Sequence, residues 1–185
     1  MNTTVKSHPF LTDKDLEKIL NAPINCHPSQ RFIINTLIQL LWDSGARISE
    51  ITNLKIEDFD PSEKFVTFKN TKNHQDRIVP VTDGVTKALS KLVGSRRNGY
   101  IFKGRQDKPM SRISAYSALK RRVIVSGINK NIRPHTFRHH FITDKLNKGA
   151  VLPQVQRFVG HTSLSSTSLY YHFTQDDLRK VLEIG

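Results

Sequence analysis

The sequence predicts a mainly helical domain that carries a small antiparallel β-sheet, an α+β fold. Three observations lead there. Apolar residues recur at helical spacing along most of the chain, two short β-rich runs flank one polar stretch, and proline or glycine punctuates the segments. With 185 residues, the chain reads as one domain. A domain of this size buries roughly 70% of its unfolded surface, so it needs no disulfide or metal staple.

Taken in order, Thr12 to Asn21 reads as a helix. Thr12 caps it, Asp15 stands three residues on, and Leu11, Leu16, Ile19 and Leu20 form the apolar stripe. Asn21-Ala-Pro-Ile ends it. Ser29 to Asp43 places Phe32, Ile33, Leu37, Leu40 and Leu41 at helical spacing, and Ser44-Gly45 stops that helix. A shorter helix follows at Ser49–Leu54. Phe65–Lys69 and Ile78–Val81 read as two strands joined by the polar run Asn70–Asp76. Further helices are expected at Asp83–Val93, Ser111–Ser126, Pro134–Asn147, Leu152–Phe158, Ser165–His172 and Gln175–Leu182. Pro134 and Pro153 fit first-turn positions, where a missing N–H does no harm. Residues 1–10 read as a tether and 11–185 as the domain proper.

Composition excludes several classes. A single cysteine, Cys26, rules out a disulfide framework and the clustered-Cys zinc modules. No apolar run approaches the 18 or so residues of a membrane span, and the start lacks the apolar core of a signal peptide. The expectation is a cytoplasmic protein with no membrane partner.

Charge is distributed unevenly. Residues 1–92 carry 12 basic and 11 acidic side chains, whereas residues 93–185 carry 17 basic and 5 acidic. Between Arg96 and Lys148, 14 basic residues face only Asp107 and Asp144. Such runs are often no more than a solvated face. A one-sided excess of this size nonetheless attracts polyanions, and counterion release makes nucleic acid the natural partner. The candidate phosphate-gripping residues are Arg96, Arg97, Lys103, Arg105, Arg112, Lys120, Arg121, Arg122 and Arg133.

Five short segments hold the reactive residue types: Gly45-Ala-Arg-Ile-Ser-Glu50, Lys72 in the strand–strand turn, His135-Thr-Phe-Arg138, Gly160-His161, and Tyr170-Tyr171. Each alone has a bland explanation as surface, cap or filler. His135 and His139 are also spaced i,i+4, but no HExxH glutamate lies between them, so phosphate binding ranks above metal binding. Together the segments supply two arginines, two histidines, a lysine and a tyrosine, a set suited to phosphoryl transfer without a metal. An arginine fork matches two phosphate oxygens, histidine moves protons near neutrality, lysine can protonate a departing alkoxide and tyrosine can be esterified. No carboxylate pair offers the ligands of a two-magnesium nuclease, and no P-loop pattern is present.

These segments resemble the boxes of the tyrosine recombinases, the phage-integrase and Xer-type site-specific DNA recombinases. Gly45-Ala-Arg-Ile-Ser-Glu50 is similar to the family's first arginine box, with its glutamate three residues after the arginine. Lys72, five residues before Arg77-Ile-Val-Pro80, is similar to the hairpin lysine. Pro134-His-Thr-Phe-Arg-His139 resembles the HxxR box, and Gly160-His-Thr-Ser-Leu-Ser-Ser-Thr-Ser-Leu-Tyr170 the Gly-His box that runs into the tyrosine. Thr71 and Asn73 flank Lys72 where members often carry glycine, which keeps Lys69 as a second candidate, and His140 stands where members place a small residue. Members also carry a separate helical DNA-binding domain ahead of the catalytic one, for which this chain has no room.

The resemblance implies a catalytic domain of the recombinase type acting on double-stranded DNA, as a homotetramer on synapsed DNA and a monomer when free. It implies a bacterial, archaeal or mobile-element source, and no cofactor, metal or small-molecule substrate. Tyr170 would be the nucleophile forming a 3′-phosphotyrosine. Arg47 and Arg138 would hold the non-bridging oxygens, Lys72 would protonate the leaving oxygen, His135 and His161 would assist, and Glu50 would buttress Arg47. Two other readings share these residues: a type IB topoisomerase-like enzyme that reseals the same strand, and a catalytically silent DNA-binding regulator.

Overall fold

The computed structural model describes residues 10–69, 76–160, 179, 182 and 183. The expected tether, the turn holding Lys72, and the helices at 165–172 and 175–182 lie outside those residues, apart from Phe10, Asp76, Arg179 and Leu182.

The first helix, α1 (Asp13–Asn21), starts on the capping box read from the sequence. The Thr12 hydroxyl accepts from the Asp15 N–H at 3.2 Å, and the Asp15 carboxylate accepts from the Thr12 N–H at 3.0 Å. Asp15 also accepts from Lys130 at 2.7 Å, which ties this end to the loop before the HxxR helix. Helix α2 (Pro28–Ser44) opens with Pro28 in its first turn and closes on Gly45 at φ +56°. Leu37, Ile38, Leu40 and Leu41 on α2 have no solvent exposure, so this helix forms the centre of the core. The short α3 (Ile48–Thr52) follows after three residues, Gly45, Ala46 and Arg47.

Three strands form one antiparallel sheet in the order β1 (Phe59–Asp60), β2 (Phe65–Phe68), β3 (Arg77–Pro80). Phe65 pairs with Pro80 and Phe68 with Arg77. The two longer strands match the expectation to within a residue at each end. The two-residue β1 is an addition too short for any periodic signal.

Helix α4 (Asp83–Val93) is capped by Thr82 and α5 (Arg112–Val125) by Ser111, each hydroxyl accepting from the N–H three residues on. Helix α6 (Pro134–Asn147) spans the expected range, and α7 (Leu152–Val159) ends on Gly160 at φ +69°. Helix α2 packs against α3, α4, α5 and α6; α6 in turn packs on α7, and α7 lies against β3. The Phe141 and Phe158 rings stack at 4.9 Å in the α6–α7 seam. This order brings the α2–α3 junction, the start of β3, the first turns of α6 and the end of α7 to one place. No described helix is long and apolar enough to cross a membrane.

Candidate active site

Arg47 stands at the N-cap of α3, where its own N–H donates to Glu50 at 2.6 Å. Its guanidinium bends back over the same turn, with Nη1 3.0 Å from Glu50 Oε1 and Nη2 3.4 Å from the Gly160 carbonyl. The Arg47 side chain remains 41% exposed, so a ligand can reach it. The glutamate three residues after the arginine therefore acts as a splint. It fastens both backbone and side chain of Arg47.

Arg138 lies one turn into α6 and is buried, 5% exposed. Its Nη1 donates to the Gly45 carbonyl at 2.9 Å, while Nη2 is buried with no hydrogen-bond partner among the described residues. Burial, then the nearby Arg47 and Arg77 cations, lower its pKa to about 10, against a smaller opposing pull from Glu50. It is still charged at neutral pH. A buried, charged donor is costly unless a hydrogen-bond acceptor or an anion completes it.

Arg77, at the start of β3, is the site residue that the sequence reading left without a role. Its Nη2 reaches Glu50 Oε2 at 2.6 Å, its Nη1 donates to the Phe158 carbonyl at 2.7 Å, and the guanidinium lies 4.6 Å over the Phe68 ring. Burial lowers its pKa, and Arg47 adds to this, while Glu50 opposes both. Burial is also the largest influence on Glu50 and disfavours its charge. Arg77 and Arg47 together outweigh that influence, so the carboxyl stays below its ordinary range. An arginine opening an otherwise apolar strand was the available signal. Three guanidinium groups around one carboxylate leave a surplus of positive charge.

His135 is exposed on the first turn of α6, one turn before Arg138, and His139, the residue directly after Arg138, is exposed as well. Lys72, His161 and Tyr170 lie outside the described residues. Lys69, the second candidate for the turn lysine, is held by the buried Asp58 at 2.6 Å. That hydrogen bond and the Asp58 charge raise its pKa.

The surface cations divide into two groups. Arg97, Lys103, Arg105, Arg112, Lys120, Arg121 and Arg133 are exposed, with Lys103 paired to Asp107. Arg122 is not a phosphate grip: it is 2% exposed, and its guanidinium donates to the carbonyls of Leu20, Ala22 and Arg31. Its position three residues after Leu119, on the buried face of α5, was the sign that the charge reading overlooked. Arg96 is likewise removed from that group. Its Nη2 donates to Leu92 at 2.7 Å and its Nη1 to Tyr100 at 2.8 Å, closing the turn after α4.

The chain is similar to the tyrosine recombinase XerD of Chlorobaculum tepidum, 30% identical over 181 residues that make up 92% of this chain and 59% of that protein. It is similar to a tyrosine recombinase of Pseudothermotoga lettingae at 33% over 183 residues, 95% and 62% of the two chains. It is 38% identical over 154 residues to XerD of Corynebacterium glutamicum, covering 78% of this chain and 50% of that one. The chain thus spans about half to three fifths of the length of these relatives. Among solved structures, the integrase from mycobacterium phage Brujita superposes with a TM-score of 0.77 at 26% identity, over 97% of this chain and 58% of that one. XerA recombinase superposes at 0.74 with 25% identity, over 96% and 65%. XerH bound to its difH substrate in a pre-cleavage complex superposes at 0.73 with 25% identity, over 90% and 51%. The sequence matches the phage integrase family over residues 9–176, nearly its whole length, and the chain belongs to that family.

Proposed function

We propose that this chain is the DNA-cleaving domain of a site-specific recombinase that breaks and rejoins strands through a 3′-phosphotyrosine. The buried Arg138 guanidinium carries the reading. Its Nη2 lacks a partner among the described residues, Arg47 and Arg77 lie close enough to lower its pKa, and a phosphate is the anion that a recombinase would place there.

In the proposed step, the Tyr170 oxygen attacks the scissile phosphorus, its proton passing to the histidine pair His135 and His161, and the bond to the 5′ oxygen breaks. Lys72 hands the leaving oxygen a proton, with His135 and His161 assisting. Arg47 and Arg138 hold the non-bridging oxygens as charge gathers on them. Phosphoryl transfer asks for positioning and charge stabilisation above all, and a rigid cationic site provides both. A 5′-hydroxyl attacking the phosphotyrosine reverses the step. The bond energy stays in the covalent intermediate, so no ATP or metal enters the balance. Duplex DNA is the partner, gripped by the exposed cations and assembled with four copies of the protein at synapsis. Phosphate contacts of this kind set register and read no bases.

The test is incubation of the chain with nicked duplex DNA in EDTA, followed by denaturing electrophoresis. A protein–DNA adduct that disappears in Tyr170→Phe and persists in Tyr171→Phe is expected. Cleavage that requires added magnesium on DNA already bound would overturn the mechanism. Binding without any adduct would favour the silent regulator. Relaxation of supercoiled DNA with no exchange between duplexes would favour the topoisomerase-like reading.

A further inference from the structure

Arg77 touches none of the groups that the proposed reaction uses directly, yet it holds several of them in place. Its two terminal nitrogens are occupied at once, by Glu50 Oε2 at 2.6 Å and by the Phe158 carbonyl at 2.7 Å. The side chain is 10% exposed and lies over the Phe68 ring, so it cannot swing out to a ligand. Glu50 in turn grips Arg47 by backbone and side chain, and Arg47 Nη2 returns to the Gly160 carbonyl. These contacts close a ring through β3, the end of α7 and the start of α3.

Gly160 completes that ring by what it lacks. A Cβ there would lie 2.8 Å from Arg77 Cδ and 3.0 Å from Arg77 Nε, on a residue whose φ of +69° already disfavours any other side chain. The glycine lets the arginine pass flat against the backbone just before His161. A lysine could not replace Arg77, because a single ammonium has no planar fork to span a carboxylate and a carbonyl together.

We infer that Arg77 is a positioning residue: acting through Glu50, it sets the direction of the Arg47 guanidinium and docks it against the α7 end that leads into His161. The inference rests on the recombinase reading for its effect on rate, and on geometry alone for its effect on Arg47.

The experiment compares wild type, Arg77→Gln, Glu50→Gln and the double variant by two readouts. The first is single-turnover adduct formation on nicked duplex DNA. Arg77→Gln is expected to slow it roughly ten- to a hundredfold, the range typical of partners that orient a reacting group without touching it, with DNA affinity unchanged. Because the effect passes through Glu50, the double variant is expected to be no slower than Glu50→Gln alone. The second readout is the Arg47 Nε–H resonance, assigned by its loss in Arg47→Lys, which is expected to shift and broaden in Arg77→Gln. Should Arg77→Gln not fold, Arg77→Lys keeps the charge and the stem, and is expected to show the same slowing and the same Arg47 shift. Additive rate losses with an unmoved Arg47 resonance would overturn the inference. A wild-type chain that forms no adduct would instead sink the recombinase reading, and the Arg47 resonance alone would then decide the role of Arg77.

Discussion

Arg138 donates from Nη1 to the carbonyl of Gly45 at 2.9 Å, a bond that spans 93 positions of sequence inside the core. The HxxR arginine is thereby fixed to the residue that ends α2, two positions before the arginine of the first box. Gly45 supports both arginines. Its left-handed conformation turns the chain into the Arg47 cap, and its carbonyl fixes the direction of Arg138.

Removing the Arg138 guanidinium is expected to slow cleavage far more than it weakens DNA binding. One contact to developing charge is lost while many ground-state phosphate contacts remain. Arg138→Ala should lower the single-turnover rate about a hundred- to a thousandfold, as for other oxyanion-stabilising donors. Inorganic phosphate should raise the melting temperature of the wild type and do so less for Arg138→Ala, because the variant lacks the charged donor that the anion would pair with. Equal losses in affinity and rate would mark Arg138 as an ordinary grip on DNA.

Gly45→Ala is expected to damage stability and rate together. A Cβ at position 45 would stand 3.0 Å from Phe141 Cδ1, at a φ of +56°. Strain of this kind costs about 1–3 kcal/mol. Phe141 stacks on Phe158, whose carbonyl holds Arg77, so a displaced ring disturbs the arginine cluster from behind. Thermal melting and adduct kinetics on the same variant check this. A normal rate in a destabilised protein would separate Gly45 from the site.

Those two residues also show where the sequence was informative. Gly45 was legible as a helix stop, and Thr12 with Asp15 as a helix start, because caps are local and depend on one residue type at one position. Arg47, Arg138 and Glu50 were legible as a set through the spacing of their boxes. Arg77 was not, since its partners Glu50 and Phe158 lie 27 and 81 positions away. An arginine opening an apolar strand signals that a charge is taken inward, but it does not name partners at that distance. Arg122 failed for the opposite reason. The local signal was present, as Ala115, Leu119 and Val123 define the buried face of α5, but a count of charges reads no faces.

The Glu50 carboxylate gives a dependence on pH with a definite sign. Burial opposes its charge, but Arg77 and Arg47 outweigh burial and depress its pKa below the ordinary 4.5. Over that interval the unfolded chain binds more protons than the folded one. The Glu50 contribution to stability is therefore fully present above about pH 4.5 and is lost as pH falls through the depressed value. Glu50→Gln cannot ionise, so it should be less stable than wild type at pH 7, by about 1.5–3 kcal/mol for a hydrogen bond to a charged group. The gap should narrow on acidification below pH 4.5. Melting curves at pH 7 and pH 3 test it, and a gap that stays constant would show that the ion pairs do not set the stability of Glu50.

The division of the basic residues into buried and exposed groups predicts two different phenotypes from neighbouring arginines. Arg121 and Lys120 are exposed on α5, whereas Arg122 is turned inward onto the carbonyls of Leu20, Ala22 and Arg31. A cation that neutralises a phosphate releases its counterion. Each such contact contributes about −0.9 to the slope of log affinity against log salt on duplex DNA. Arg121→Ala and Lys120→Ala should therefore each flatten that slope by about 0.9 if they grip DNA, lower affinity alike on specific and scrambled duplexes, and leave the melting temperature nearly unchanged. Arg122→Met should do the reverse. It leaves buried carbonyls unpaired, at about 1–3 kcal/mol for an unsatisfied group, and removes no contact that DNA could reach. A salt titration beside a thermal melt on the three variants separates the two roles. A flattened slope in Arg122→Met at unchanged stability would mean that this face of α5 opens to DNA and that the buried contacts of Arg122 are not maintained in the complex.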